Sequence, residues 1–172
     1  MAQESVAPRK FSKLAAAEET NPINEKPSDR EVRREIYIEA SPATVFALLT
    51  EATAIMKWQA EIVDADPVPG GIFRLAERGG MRIEGRFVEV VPYSKVVYTW
   101  GGMVGVEPGQ STVEFLLEQR DNGTLVRVRH YNLPASSVDA HDQEWAHGGL
   151  PKLKAVAEGR DPGGLCLSSQ GR

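Results

Sequence analysis

"STVEFLLEQRDNGTLVRVRHYNLPASSVDAHDQEWAHGG", residues 111–149, decides the fold. Its first part alternates, with Val113, Phe115 and Leu117 on one face of an extended segment. "RDNG" then supplies turn chemistry, because Asn and Gly accept the positive φ of a tight hairpin. The returning run sets Val126 and Val128 against Arg127 and Arg129, and the same alternation carries His130 inward and Tyr131 outward. Beyond Pro134 the period changes. His141, Trp145, Gly149 and Leu153 recur every fourth residue and share one face of a helix expected over about residues 136–158, capped by Ser136 or Ser137. Trp145, with its large apolar surface, turns inward on that helix, and His141 sits one turn earlier, near the mouth of the space between helix and strands.

The same reading extends toward the N-terminus. "VRREIYIEA" places Val32, Ile36, Ile38 and Ala40 on one face and Arg33, Glu35, Tyr37 and Glu39 on the other, a half-buried strand. "SPATVFALLTEATAIMKW" follows. Ser41 is an N-cap, Pro42 suits the first helical position, and Val45, Phe46, Leu48 and Leu49 form an apolar stripe. A second short helix runs to about Trp58. Short strands joined by tight turns come next, so neighbours are antiparallel. The order is one strand, two short helices, six strands and one long helix. A curved, seven-stranded antiparallel sheet wrapped around a long C-terminal helix accounts for every element, an α+β class. A sheet gripping one helix leaves a gap between them, a natural pocket.

One strand is internally inconsistent. Met81, Ile83 and Phe87 want one face, whereas Val88 and Val90 want the other. A bulge or kink at Gly85 resolves this without burying a charge, with Arg86 and Glu89 as the charged residues nearest the conflict.

Composition bounds the rest. The 172 residues carry a formal charge of -4, with 41% hydrophobic and 26% charged residues, as in one ordinary globular domain. No Lys/Arg cluster marks a phosphate-tracking face, so nucleic acid is not an expected partner. No apolar run is long enough for a membrane span, the first residues lack the apolar core of a secretion signal, and the single Cys166 allows no intramolecular disulfide. A cytoplasmic protein is expected. Residues 1–30 read as a polar tail or arm, residues 31–160 as the domain, and residues 161–172, rich in Gly and Ser, as a flexible tail.

"EIYIEASPATVFALLTEATAIMKW", "GGIFRL", "GRFVEVVPYSKVVYTW", "STVEFLLEQRDNGTLVRVRH" and "HDQEWAHGGLPKLKAVAEG" resemble, in order and spacing, the Hsp90-ATPase-activator-homologue-like family of the START / Bet v 1-like (SRPBCC) superfamily. The resemblance covers about residues 31–160 and implies a bacterial single-domain protein with the helix-grip fold and an internal cavity. It places Trp58 at the cavity entrance. The superfamily includes carriers of hydrophobic molecules, polyketide cyclases and aromatases, so the fold does not fix the activity. This chain departs from the family at Gly148, Gly149 and Pro151 of the last helix. Pro151 cannot donate to the carbonyl of His147, and a kink near residues 147–151 is expected.

The expected function is binding of a small hydrophobic or aromatic molecule. Trp58, Phe73, Phe87, Tyr98, Trp100, Phe115, His130 and Trp145 would line the cavity, with His130 and Tyr98 orienting the ligand. His130 can equally be a packing residue hydrogen-bonded to its surroundings. A third alternative is an acid/base in a cyclase-, aromatase- or hydrolase-type enzyme. A co-chaperone-like interaction module with a docking arm at residues 9–17 is a further reading, and a homodimer is plausible. No metal or other cofactor is expected. His141 and His147 stand six residues apart, about 240° around a helix, which is poor geometry for joint ligation.

Overall fold

The computed structural model describes residues 30–167. The candidate arm at residues 9–17 therefore lies outside the described residues. Strand β1 (Val32–Ile38) leads into helices α1 (Pro42–Thr50) and α2 (Ala52–Ile55). Strands β2 (Ile62–Ala65), β3 (Ile72–Ala76), β4 (Arg82–Val91), β5 (Lys95–Trp100), β6 (Ser111–Arg120) and β7 (Gly123–Tyr131) follow. They form one curved antiparallel sheet of seven strands in the order β1-β7-β6-β5-β4-β3-β2. β1 pairs with the last strand, Ile36 opposite Val126, so the chain must pass from one sheet edge to the other between β1 and β2. Helices α1 and α2 make that crossing. Ser41 Oγ accepts the Thr44 N–H at 3.2 Å, the N-cap read from the sequence, with Pro42 in the first turn. Trp58 Nε1–H donates to Leu48 O at 2.9 Å and ties the end of the crossing back to α1.

The sheet's inner face is apolar, as the alternation requires. Val96, Val113, Phe115 and Val126 are fully shielded from water. Burying one such side chain contributes about 1.5–3 kcal/mol. The covering helices are pinned to the β1 edge by charge. Arg34 Nε and Nη2 donate to the two carboxylate oxygens of Asp142 at 2.8 and 2.6 Å. Lys154 Nζ donates to Tyr37 O at 2.7 Å, and the Glu39 N–H to Glu158 Oε1 at 2.9 Å.

The C-terminal helix is not one continuous α-helix. A 3₁₀ turn (Ala135–Ser137) precedes α3 (Val138–Glu144), a π turn spans Trp145–Gly149, and α4 (Leu150–Ala157) completes it. The departure from α geometry stands just ahead of Pro151, where a kink was expected. The Leu150 N–H reaches back five residues to Trp145 O. Pro151 has no N–H to continue the ordinary ladder, and the wider turn absorbs the mismatch. Neither serine caps the helix through its side chain. Ser137 Oγ–H donates instead to Val104 O at 2.7 Å, in the loop between β5 and β6.

Two further expectations need correction. β4 does bulge, but at Val88 and not at Gly85: Phe87 pairs with Tyr98 and Glu89 with Val97, leaving Val88 without a partner. The extra residue lets Phe87 and Val90 both turn toward the core while Val88 is half exposed. Glu89 faces out and pairs with Lys95 at 2.8 Å, and Arg86 reaches Gly70 O at 2.9 Å. Gly85 has another reason to be glycine. A Cβ there would lie 1.8 Å from Thr99 O, so the neighbouring backbone occupies the place of a side chain. The described part of the C-terminal stretch is also not a loose tail. The Cys166 and Leu167 N–H groups donate to Trp58 O and Gln59 O, both at 3.0 Å, and both side chains are buried in the core.

Gly85→Ala is expected to lower unfolding free energy by about 3 kcal/mol or to prevent folding. Gly79→Ala, whose added methyl meets nothing within 4 Å, should leave the urea midpoint unchanged. Urea denaturation followed by far-UV circular dichroism compares the two.

Candidate functional site

Between the inner face of the sheet and the broken helix lies a cavity of about 310 Å³. That is at the small end of ligand pockets, large enough for a compact aromatic molecule. Five parts of the chain wall it. Trp58 and Gln59 follow α2; Trp100 and Val104 come from the end of β5 and its loop, with His130 on β7 beside them. Ala140, His141, Glu144, Trp145 and Gly149 come from the helical side, and Cys166 and Leu167 from the C-terminal segment. Val104 and Ala140 are exposed and mark the rim. Gly149 is required here: a Cβ would lie 2.8 Å from the Trp145 ring, so its absence lets the indole lie against its own helix.

His130 is buried and both its ring nitrogens are engaged. Trp145 Nε1–H donates to Nδ1 at 3.2 Å, so Nδ1 carries no proton. The neutral ring then bears its proton on Nε2 and donates to Ser111 Oγ at 2.8 Å, which donates in turn to Trp100 O at 2.8 Å. Every donor in this chain has an acceptor. Burial, with a smaller contribution from His141, pushes the His130 imidazole down to about 3. His141 packs edge-on against His130 with ring centroids 4.9 Å apart. Its Nδ1–H donates to Ser137 O at 2.7 Å. Burial holds it below the ordinary imidazole range, only partly offset by that hydrogen bond. Burial also pushes the Cys166 thiol up, away from any nucleophilic role. Among the described residues, no group of three His, Cys, Asp or Glu side chains could hold a metal ion.

Residues 39–158 match the family described as activator of Hsp90 ATPase homolog 1-like protein. The chain belongs to that family. Its fold is that of the Bet v 1-like SRPBCC superfamily. An AHSA1-like protein from Rhizobium etli is 40% identical, covering 78% of this chain and 85% of its own, with a TM-score of 0.62. The Aha1 dimer from Colwellia psychrerythraea is 27% identical over 74% of this chain and 96% of its own, with a TM-score of 0.64. An Hsp90 activator from Plasmodium falciparum shares the fold at 21% identity, 74% and 95% coverage and a TM-score of 0.62. No curated protein matches the chain. No helix of the described residues is long and apolar enough to cross a membrane.

Within this AHSA1-like domain the expected site residues divide into two groups. Trp58, Trp100, His130 and Trp145 meet at the cavity wall. Phe73, Phe87, Tyr98 and Phe115 do not line it. They turn inward as the alternation requires, but fill the core with one another. Phe73 stacks on Tyr98 with centroids 3.9 Å apart and meets Phe87 edge-on at 5.5 Å. Phe115 closes the cluster edge-on against Trp145 at 5.6 Å. Tyr98 is therefore not positioned to orient a ligand. Its hydroxyl is hydrogen-bonded with Gln59, and burial raises its phenol well above the usual range. His141 and Gly149 were legible in the four-residue spacing of the helix. Nothing in the sequence pointed to Gln59, Val104, Cys166 or Leu167, which reach the wall through loops.

Both buried imidazoles are neutral in the fold, whereas in the unfolded chain they protonate near 6.5. Below that pH the unfolded state binds more protons, so stability falls as pH drops below about 6.5, by up to about 1.4 kcal/mol per pH unit from His130 as pH approaches 3, with His141 contributing in the same direction. Carboxylates such as Asp142, held low by hydrogen bonds from Arg34, lose their contribution only below about 4. Urea midpoints should therefore decline between pH 6.5 and 4.5. His130→Gln should flatten that decline even though it lowers stability overall. An unchanged slope would contradict the buried neutral histidine.

Proposed function

We propose that this chain binds a small hydrophobic or aromatic molecule in the cavity between sheet and helix. The observation that carries the reading is the wall itself: three tryptophans and two histidines converge on a space of about 310 Å³ beside the hydrophobic core. Flat apolar rings gain most from such a wall through area burial and edge-to-face contact. The closed hydrogen-bond chain through His130 keeps Trp145 from rotating inward to fill the space. It also argues against His130 as an acid/base, because neither ring nitrogen is available and burial holds the ring neutral. A cytoplasmic setting goes with this reading, since one cysteine leaves no intramolecular disulfide to form. A homodimer is in keeping with the dimeric Colwellia relative.

A protein-interaction role would use the sheet's outer face. There Val91 pairs with Lys95 and Lys95 with Leu116, which puts exposed apolar groups on both sides of one lysine.

Native mass spectrometry before and after organic extraction tests the ligand reading. A bound small-molecule mass is expected, lost on extraction. Ala140→Trp, which fills the rim from an exposed helical position, should abolish both the bound mass and any ligand-induced thermal shift. The apo protein's own melting temperature should stay the same. A clean apo mass and no thermal shift across a panel of aromatic compounds would overturn the reading.

A further inference from the structure

Trp100 and His141, both residues of the cavity lining, each carry a buried polar atom with no hydrogen-bond partner among the described residues. One is the Trp100 Nε1–H, a donor; the other is His141 Nε2. The second is an acceptor by elimination: His141 Nδ1 faces the Ser137 carbonyl, which can only accept, so the neutral ring's proton is on Nδ1. Both side chains are more than nine-tenths buried, Trp100 at 8% and His141 at 6% exposure. Both line the same cavity, and each packs edge-on against the His130 ring, at 6.1 and 4.9 Å between centroids. His130 can serve neither, because its own nitrogens are occupied. Trp58 and Trp145 both have acceptors for their indole N–H groups, which makes the third indole conspicuous.

A buried donor or acceptor left unpaired is costly, and an occupant that pairs it removes that cost on binding. We infer, given the ligand-binding reading of this cavity, that its occupant is a neutral hydroxylated aromatic, an aryl alcohol or phenol. Its O–H donates to His141 Nε2 and its oxygen accepts from Trp100 Nε1–H. A hydroxyl is the smallest group that does both. A carboxylate supplies no donor and would meet the Glu144 side chain at the same wall. An alkylamine, protonated at neutral pH, supplies no acceptor for the indole, and an arylamine, with its lone pair delocalised into the ring, accepts only weakly.

Three probes of one shape separate the contributions: 2-naphthol has donor and acceptor, 2-methoxynaphthalene an acceptor only, and 2-methylnaphthalene neither. Isothermal titration calorimetry on the full chain should rank them in that order. Each hydrogen bond is expected to give about tenfold in Kd. His141→Phe should erase the advantage of 2-naphthol over the methoxy compound and leave methoxy against methyl unchanged. Trp100→Phe should erase methoxy against methyl. The Trp100 variant sacrifices no hydrogen bond within the protein, so it carries the test alone if His141→Phe fails to fold. Equal affinity for all three probes would overturn the hydroxyl assignment and leave ligand binding standing. Binding of none of them would overturn both.

Discussion

The Trp145–His130 hydrogen bond is the joint on which the architecture turns. An imidazole at the inner end of β7 sits among Trp100, Trp145 and His141 and is almost wholly cut off from water. Leaving either nitrogen of such a group unpaired is costly. The sheet satisfies one side through Ser111, whose hydroxyl relays to the backbone of β5. The helix satisfies the other through the Trp145 indole. A single side chain thus links three strands to the helical layer and fixes its own tautomer. The helical layer rests on the sheet through an indole at this point, and the space beside the indole becomes the cavity.

The helix departs from α geometry at that contact, in the π turn that begins at Trp145. Three residues that an unbroken amphipathic helix would avoid, Gly148, Gly149 and Pro151, stand together. Pro151 removes a donor from the ladder and the π turn re-routes the one before it. Gly149 leaves room for the Trp145 ring, and Gly148 does the same for Glu144, whose carboxyl occupies the place of a Cβ. Each residue lowers helical propensity, and Gly149 itself lines the cavity. Local rules broken at a site of this kind are what a functional constraint looks like.

The fold was legible because two periods dominate the chain. Alternation along β6 and β7 placed Val113, Phe115, Val126, Val128 and His130 inward, and the structure buries all five. Four-residue spacing aligned His141, Trp145, Gly149 and Leu153, of which the first three line the cavity. Periodicity says which face a residue takes and not how far along the strand the core closes. Phe73, Phe87, Tyr98 and Phe115 are on the right face but in the filled end. The bulge was inferable from the clash between Phe87 and Val88, yet its position depended on the pairing of β4 with β5, a long-range property. The docking of Cys166 and Leu167 rests on two backbone hydrogen bonds to the segment after α2, and a short apolar stretch among glycines carries no periodic signal of that.

The three tryptophans provide the most direct test, because their indole N–H groups stand in three different states. That of Trp58 is bonded to a carbonyl, that of Trp145 to an imidazole, and that of Trp100 to nothing in the described protein. In a 1H–15N correlation spectrum each gives one resolved signal. On titration with 2-naphthol the account predicts a downfield shift of the Trp100 indole proton, while those of Trp58 and Trp145 keep their hydrogen-bonded shifts. If no indole signal moves, or if the Trp145 signal loses its bonded position, the cavity beside a fixed Trp145–His130 joint is not a ligand site.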